Sequence, residues 1–300
     1  MHFKPFSGFR LCCVLVGNWL LAGCAAPEAA PPAAPAARDS YVVLLDLSDR
    51  LLVPGQPARD TALLGQVCQA FLAGAARRHY AGSEDRLRVV VAEQASHPAA
   101  VQALAQAPEL FVDLGALPLT ERRHAPARVA ALRQRVAALY AAAAQGRRPA
   151  DYAGAELWHY LAERLPYDFP APDSAHADRR HLLVLTDGYL DFEQYAGRRQ
   201  QGHRYASTRF VAALAKQGPE WPGAWQKGNY GLLPLPIRPA LVGVRTLVAE
   251  VQPHADYHLD ILGRTWQQWF IESGLPAPRI LARVALPTAR EQVATFLAAE

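Results

Sequence analysis

Two segments of the chain are apolar without a break and end on an aspartate: Tyr41-Val-Val-Leu-Leu-Asp46 and His181-Leu-Leu-Val-Leu-Thr-Asp187. Neither alternates between apolar and polar positions, so both read as strands covered on both faces, the pattern of a parallel sheet. Between and after them the period changes. Leu63, Leu64, Val67, Phe71 and Leu72 recur at helical spacing within 60–80, and helical patterns return over 122–144 (Ala-rich), 152–165, 207–217, 257–273 and 287–299. Further strands fall at 87–92, 240–251 and 279–284, with a weaker one at 110–114 that belongs at a sheet edge. Strands alternating with helices predict an α/β layer fold with a mostly parallel central sheet, in one domain over residues 40–300.

The segment 218–239 interrupts this alternation. It carries Trp221, Trp225, Tyr230 and five prolines, and a loop of that length is usually either functional or poorly ordered. Packing across the base of the sheet is expected rather than a partner-binding surface, because a helix-to-strand connection lies opposite the ligand crevice. Trp266, Trp269 and Phe270, at i, i+3 and i+4 of one helix, read as core. His254 and His258 have no third ligand near them in sequence and read as surface residues.

The N-terminus adds an address. Lys4 and Arg10 precede an apolar stretch, Leu11 to Leu21, which leads into Leu21-Ala22-Gly23-Cys24. Basic residues, a short apolar run and small residues before a cleavage point make an export signal. The run is too short for the roughly 20 residues that cross a bilayer. Residues 1–23 are thus expected to be removed, and Cys24 to carry a lipid that anchors the chain in a bacterial cell envelope. Residues 24–39, nearly all Ala and Pro at first, read as a tether.

Charge and cysteine content narrow the picture further. The chain has 31 basic and 27 acidic residues, and two of the basic ones leave with the signal. Such a balance leaves no footprint for nucleic acid. Cys12 and Cys13 also leave and Cys24 is acylated, so Cys68 stands alone in the domain and no disulfide can form within it. Cys68 lies among Leu64, Val67, Phe71 and Leu72 and is expected to be a buried, unreactive thiol.

Candidate chemistry sits where the two strong strands stop. In open α/β sheets ligands bind outside the carboxyl ends of the strands, and Asp46 and Asp187 stand there. Asp46-Leu-Ser48-Asp49-Arg50 sets Asp46 and Ser48 on one side of an extended turn, and Gly188 gives Asp187 a tight exit. Hard oxygen donors of this kind suit Mg²⁺ or a similar cation. Asp49, Asp191 and Glu156 can join an acidic rim. Taken singly, each is also an ordinary turn residue.

These residues resemble the von Willebrand factor type A (vWA) family, which has an Asp-x-Ser-x-Ser motif after its first strand. That family also has a Thr in a middle loop and an Asp, often in Thr-Asp-Gly, after its fourth strand; together these form a metal-ion-dependent adhesion site. Asp46 and Ser48 match the first two positions and Asp187 the last. Arg50 replaces the second Ser, and Ala155, in Gly154-Ala155-Glu156, falls where the Thr belongs. The resemblance implies a single Rossmann-like, three-layer domain whose two motif strands are neighbours, with a degenerate adhesion site.

Three functions follow as expectations. One is a non-enzymatic binding domain, its protein partner contributing a carboxylate to a cation. Another is a scaffold in which Arg50 replaces the cation as counter-ion between Asp46 and Asp187. The third is a metal-dependent hydrolase of the haloacid-dehalogenase type, which needs an Asp where Ser48 stands. No catalytic set is legible: Gly-x-Ser-x-Gly, His-Glu-x-x-His and Gly-x-x-x-x-Gly-Lys motifs are all missing from the sequence.

Overall fold

The computed structural model describes residues 36–152, 154–172, 175–191, 207–236 and 238–299. The signal, Cys24 and most of the tether lie outside the described residues. Six strands form one sheet in the order β3-β2-β1-β4-β5-β6. They are β1 (Ala36–Leu45), β2 (Arg86–Val91), β3 (Phe111–Asp113), β4 (His176–Leu185), β5 (Arg245–Val251) and β6 (Arg279–Ala282). All pairings are parallel except that of β3, an antiparallel edge strand of three residues. β1 and β4 pair side by side from Ala36↔His176 to Leu45↔Leu185, so Asp46 and Thr186 leave the sheet together.

Helices cover both faces. Odd-numbered β1 residues Tyr41, Val43 and Leu45 join a core with α1 (Gln56–Arg77), α2 (Ala99–Ala105), α4 (Ala125–Ala144) and α10 (Leu286–Ala298). The short α3 (Leu119–Arg122) precedes α4. Even-numbered Val42 and Leu44 face a second core built with α5 (Leu157–His159), α6 (Leu165–Asp168), α7 (Thr208–Ala215), α8 (Trp221–Gly228) and α9 (His258–Glu272). The result is a three-layer α/β domain, as the alternation of strands and helices predicts. Among the described residues no helix is long and apolar enough to cross a membrane.

Several expectations need correcting in detail. The sheet begins at Ala36, inside the expected tether, and β4 begins five residues before His181. Charge hides both extensions: Arg38 and Asp39 are buried because Arg38 Nε bonds Asp178 Oδ1 at 2.7 Å and Arg179 forks onto Asp39 at 2.6 and 2.8 Å. β5 starts at Arg245 rather than residue 240, since Pro239–Leu241 form a 3-10 turn and Gly243 takes a positive φ of 76°. The described part of the segment 218–239 packs against α9 and joins the core on that face of the sheet. It contains α8, Trp225 is buried, and Leu233 O accepts bonds from the indoles of Trp158 and Trp269 at 3.1 and 3.0 Å. Trp266, Trp269 and Phe270 are core residues, as their spacing suggests. Cys68 is buried too, and burial pushes its thiol up to about 11, which keeps it protonated and inert.

Candidate functional site

The crevice forms where β1 and β4 end. Asp46 donates its N–H to Leu185 O at 3.0 Å, continuing the ladder by one residue, and its side chain then turns inward. Asp46 Oδ1 accepts the Ser48 N–H at 2.9 Å, an Asx-type turn that locks the first motif. Asp46 Oδ2 accepts the Thr186 hydroxyl at 2.8 Å. That hydroxyl oxygen in turn accepts the Gly188 N–H at 3.1 Å. Thr186 is therefore the link between the two motifs, a role its place at the end of an apolar run concealed.

Asp187 is held by its own turn. Its Oδ1 accepts the Tyr189 N–H at 3.1 Å and its carbonyl accepts the Gln252 N–H at 3.0 Å. Gly188 has φ +95°, and a Cβ there would lie 2.9 Å from Val251 Cγ1, so the exit admits only glycine without strain. The Trp266 indole donates to Gly188 O at 2.9 Å, pinning the turn to α9. Burial first, and then the charge of Asp46, push the Asp187 carboxyl up to about 7, with Arg50 opposing.

Arg50 does not sit between the two carboxylates as counter-ion. Its guanidinium forks onto Asp60 of α1 at 2.7 and 3.1 Å and touches only the main-chain O of Asp46, at 3.2 Å. The reason lies in the turn that follows the motif: Asp49–Leu52 is a single 3-10 turn, Arg50 faces inward from it, and Asp60 on the first turns of α1 is the nearer anion. Burial works against the Arg50 charge, but Asp60 outweighs it and keeps the group protonated. Gln56 and Tyr140 also bond Asp60, at 2.8 and 3.0 Å. Gln56 continues to Glu250, which Arg59 grips at 2.7 and 2.8 Å. Glu250 lies at a β-bulge with φ +70°, which turns its carboxylate inward from an otherwise apolar strand. Asp60, Gln56 and Glu250 form the buried polar floor of the site. Only Glu250, out of place in Thr-Leu-Val-Ala-Glu-Val, could have been suspected from sequence.

The rim assembles in part. Asp49 is exposed, and its carboxyl is raised by partial burial and by Asp46 and Asp191, against His254. Asp191 accepts the Thr208 N–H at 3.1 Å and the Thr208 hydroxyl, at the start of α7. The middle loop reaches it: a Cβ on Gly154, whose φ is +94°, would lie 2.5 Å from Asp191 O. Glu156 is buried at the start of the helical stretch 157–168, its N–H on Glu93 O at 2.9 Å. His254 is exposed as expected, and its ring stacks on Tyr189 at 4.3 Å. His258, expected on the surface, is buried, with Nδ1 2.6 Å from the Tyr189 hydroxyl. That bond ties the Asp187 turn to the first residue of α9.

Among the described residues neither Asp46 nor Asp187 forms an ion pair, and no group of three or more His, Cys, Asp or Glu is arranged to hold a metal. The oxygen donors the two motifs offer are two carboxylates and the Ser48 hydroxyl, a hard set of low denticity. With its Oδ1 bonded once, Asp187 retains an oxygen for a further partner.

Fold and site together define a three-layer α/β domain with an acidic crevice at the carboxyl edge of two adjacent strands. No protein-family model matches the chain, and no curated protein does. Among solved structures it is similar to the pilus adhesin SpaC from Lactobacillus rhamnosus GG, in two crystal structures. In the open conformation the TM-score is 0.38 at 10% identity, covering 89% of this chain and 30% of that one. In the other form the values are 0.42, 9%, 89% and 31%. The chain thus spans under a third of the length of the adhesin it resembles.

Proposed function

We propose that this is a vWA-like binding domain whose crevice takes a divalent cation through Asp46, Ser48 and Asp187 and presents it to the carboxylate of a protein partner. The observation that carries this reading is the pair of carboxylates on neighbouring strand ends with no ion-pair partner on either among the described residues, Arg50 being engaged by Asp60. The strand order, with the two motif strands adjacent, supports the vWA-like assignment. Two carboxylates leave most of a six-coordinate shell to water and partner, so weak binding is expected in the free protein. The site is degenerate in the sense that Arg50 and Ala155 supply none of the family's further ligands.

Calorimetric titration with Mg²⁺ and Mn²⁺, alongside thermal unfolding, tests the proposal. Cation at about 100 times its Kd adds about 2.7 kcal/mol of stability, and Asp46→Ala abolishes the gain. Absence of both heat and a melting shift sinks the cation reading. Display at a membrane by lipid on Cys24 completes the proposal, motivated by Leu-Ala-Gly-Cys. Labelling with a palmitate analogue disappears in Cys24→Ser if the anchor is there.

A further inference from the structure

One strand away from Asp46, a cavity of about 710 Å³ opens beside β2. β3 pairs only with Arg86–Arg88, so Val89, Val90 and Val91 have β1 on one side and, among the described residues, no strand on the other. The ladder fixes where their main-chain groups point. Ala92 donates its N–H across to Leu45 O of β1, at 2.9 Å, while Asp85 O accepts from Leu114 N on the β3 side, at 3.0 Å. Alternate residues of a strand face alternate neighbours. Val91, an even number of residues from Asp85, therefore turns its N–H and C=O to the open side, where it lines the cavity. Such an edge is a template for one more strand.

Two side chains on the same wall are polar and buried and carry unpartnered atoms. Gln94 is 5% exposed, and among the described residues neither the N nor the O of its amide has a hydrogen-bond partner; His97 is 7% exposed, and its Nε2 has none there either. Buried groups left in this way are destabilising, and native interiors rarely keep them without a use. The turn carrying them is braced. His97 N–H bonds Gln94 O at 3.1 Å, and Gln102 and Arg147 hold the carbonyls of His97 and Ser96 at 3.0 and 3.2 Å. Burial, and then Arg147, push the His97 imidazole down to about 4, so the ring is neutral at neutral pH.

The charges at the mouth already pair with one another, Arg88 with Asp168 at 3.1 Å and Arg164 with Glu93 at 3.5 Å. The remaining walls include Ala105, Leu110 and Phe111. An occupant must therefore be uncharged where it enters, must offer both donors and acceptors at the spacing of a strand, and must match a primary amide. An extended peptide backbone meets all three conditions. We propose that this groove takes an uncharged, extended segment of a partner protein as an added strand beside Val91, with a further amide of that segment paired to Gln94. The mode is strand addition, in which main-chain bonds give affinity. It does not depend on the cation crevice, which uses other residues.

The test exposes the immobilised full chain to a library of capped hexapeptides built from uncharged residues, with mass spectrometry of what is retained. A retained peptide is then remade with N-methyl groups on alternate amides. Methylation in one register should abolish binding and in the other should leave it within about twofold, because only alternate N–H groups face β2. Gln94→Leu should weaken binding about tenfold, the worth of one or two hydrogen bonds, while its melting temperature does not fall. A structural role for Gln94 would lower that temperature. Retention of no peptide, equal loss in both registers, or Gln94→Leu binding like the parent would each overturn the proposal. So would a chain that retains no peptide but dimerises with the Val91 N–H protected from exchange only in the dimer, since the occupant would then be a second copy.

Discussion

The two ends of the central strands carry the same residue type and treat it in opposite ways. At the amino end of the sheet each buried carboxylate has a guanidinium. Asp39 is forked by Arg179 and touched by Arg78, Asp85 bonds Arg78 at 2.6 Å, and Asp178 joins Arg38 and Arg180 at 2.7 and 2.8 Å. Even α1 makes way: a Cβ on Gly74 would lie 3.1 Å from Asp85 Oδ2. At the carboxyl end Asp46, Asp49, Asp187 and Asp191 share one crevice, and Arg50, buried beside them, is spent on Asp60. Burial pulls Asp39, Asp85, Asp178, Asp49 and Asp187 upward, and the outcome depends on the cations. Arginine bonds hold Asp39 and Asp178 below the ordinary carboxylate range, whereas Asp49 and Asp187 stay above it. Asp85 is the exception at the amino end, where burial outweighs its single arginine. Paired carboxylates fix the fold; a carboxylate pair in a ligand crevice, with no cation on it among the described residues, is where the proposed cation would bind.

The largest expected effect tests where Arg50 belongs. If its partner is Asp60, Arg50→Ser strands a fully buried carboxylate and costs about 3–5 kcal/mol. Mg²⁺ does not rescue the variant, because the space vacated lies beside Asp60 rather than between Asp46 and Asp187. Chemical denaturation with and without Mg²⁺ reads both outcomes. Rescue by the metal would return Arg50 to the crevice and erase the contrast between the two sheet ends.

A somewhat smaller loss is expected at the amino end. Asp39→Ala leaves Arg179 and Arg78, of which the first is already 41% exposed and can rehydrate, so the cost is about 3 kcal/mol. Divalent cations should leave this variant's stability increment the same as the parent's. A variant that also loses its cation response would mean that the two ends are coupled through β1, and the division of labour would have to be redrawn.

What the sequence disclosed follows the same division. Apolar runs revealed the parallel strands, their order of appearance and both crevice aspartates, because burial on two faces leaves a plain signature in residue type. Charged pairs leave none. Ala36–Asp39 and His176–Arg180 are strands whose burial depends on partners far apart in sequence, so Arg38 and Asp39 looked like tether, and nothing in the sequence singled out Asp60. The position of Arg50, four residues after Asp46, was legible, but its partner was not, since the choice between Asp46 and Asp60 is made by the turn at 49–52 and the docking of α1. His258 was misjudged for a like reason. Its hydroxyl partner, Tyr189, lies 69 residues away, on a loop that only the fold brings near.

The smallest effect is the most diagnostic, because it carries a sign. The Asp187 carboxyl titrates near 7 in the folded domain and near 3.9 in an unfolded chain. Below about pH 4 both states hold the proton and the group is neutral toward stability. Between about pH 4 and 7 the unfolded chain releases its proton while the folded domain keeps it, so stability from this group falls as pH rises, and above 7 the loss is complete. Asp187→Asn keeps an acceptor for the Tyr189 N–H and removes the titration. It should match the parent at pH 4 and exceed it at pH 8 by on the order of 1–2 kcal/mol, less than the full shift implies because Asp187 is only partly buried. Saturating Mn²⁺ at pH 8 should reverse that ranking, since the cation rewards the ionised carboxylate and the amide offers it a poorer ligand. Urea melts of both proteins at pH 4 and 8, with and without Mn²⁺, supply the four comparisons. Parallel pH profiles for parent and variant would show that Asp187 is already compensated, and the crevice would then be no more open to a cation than the amino end of the sheet.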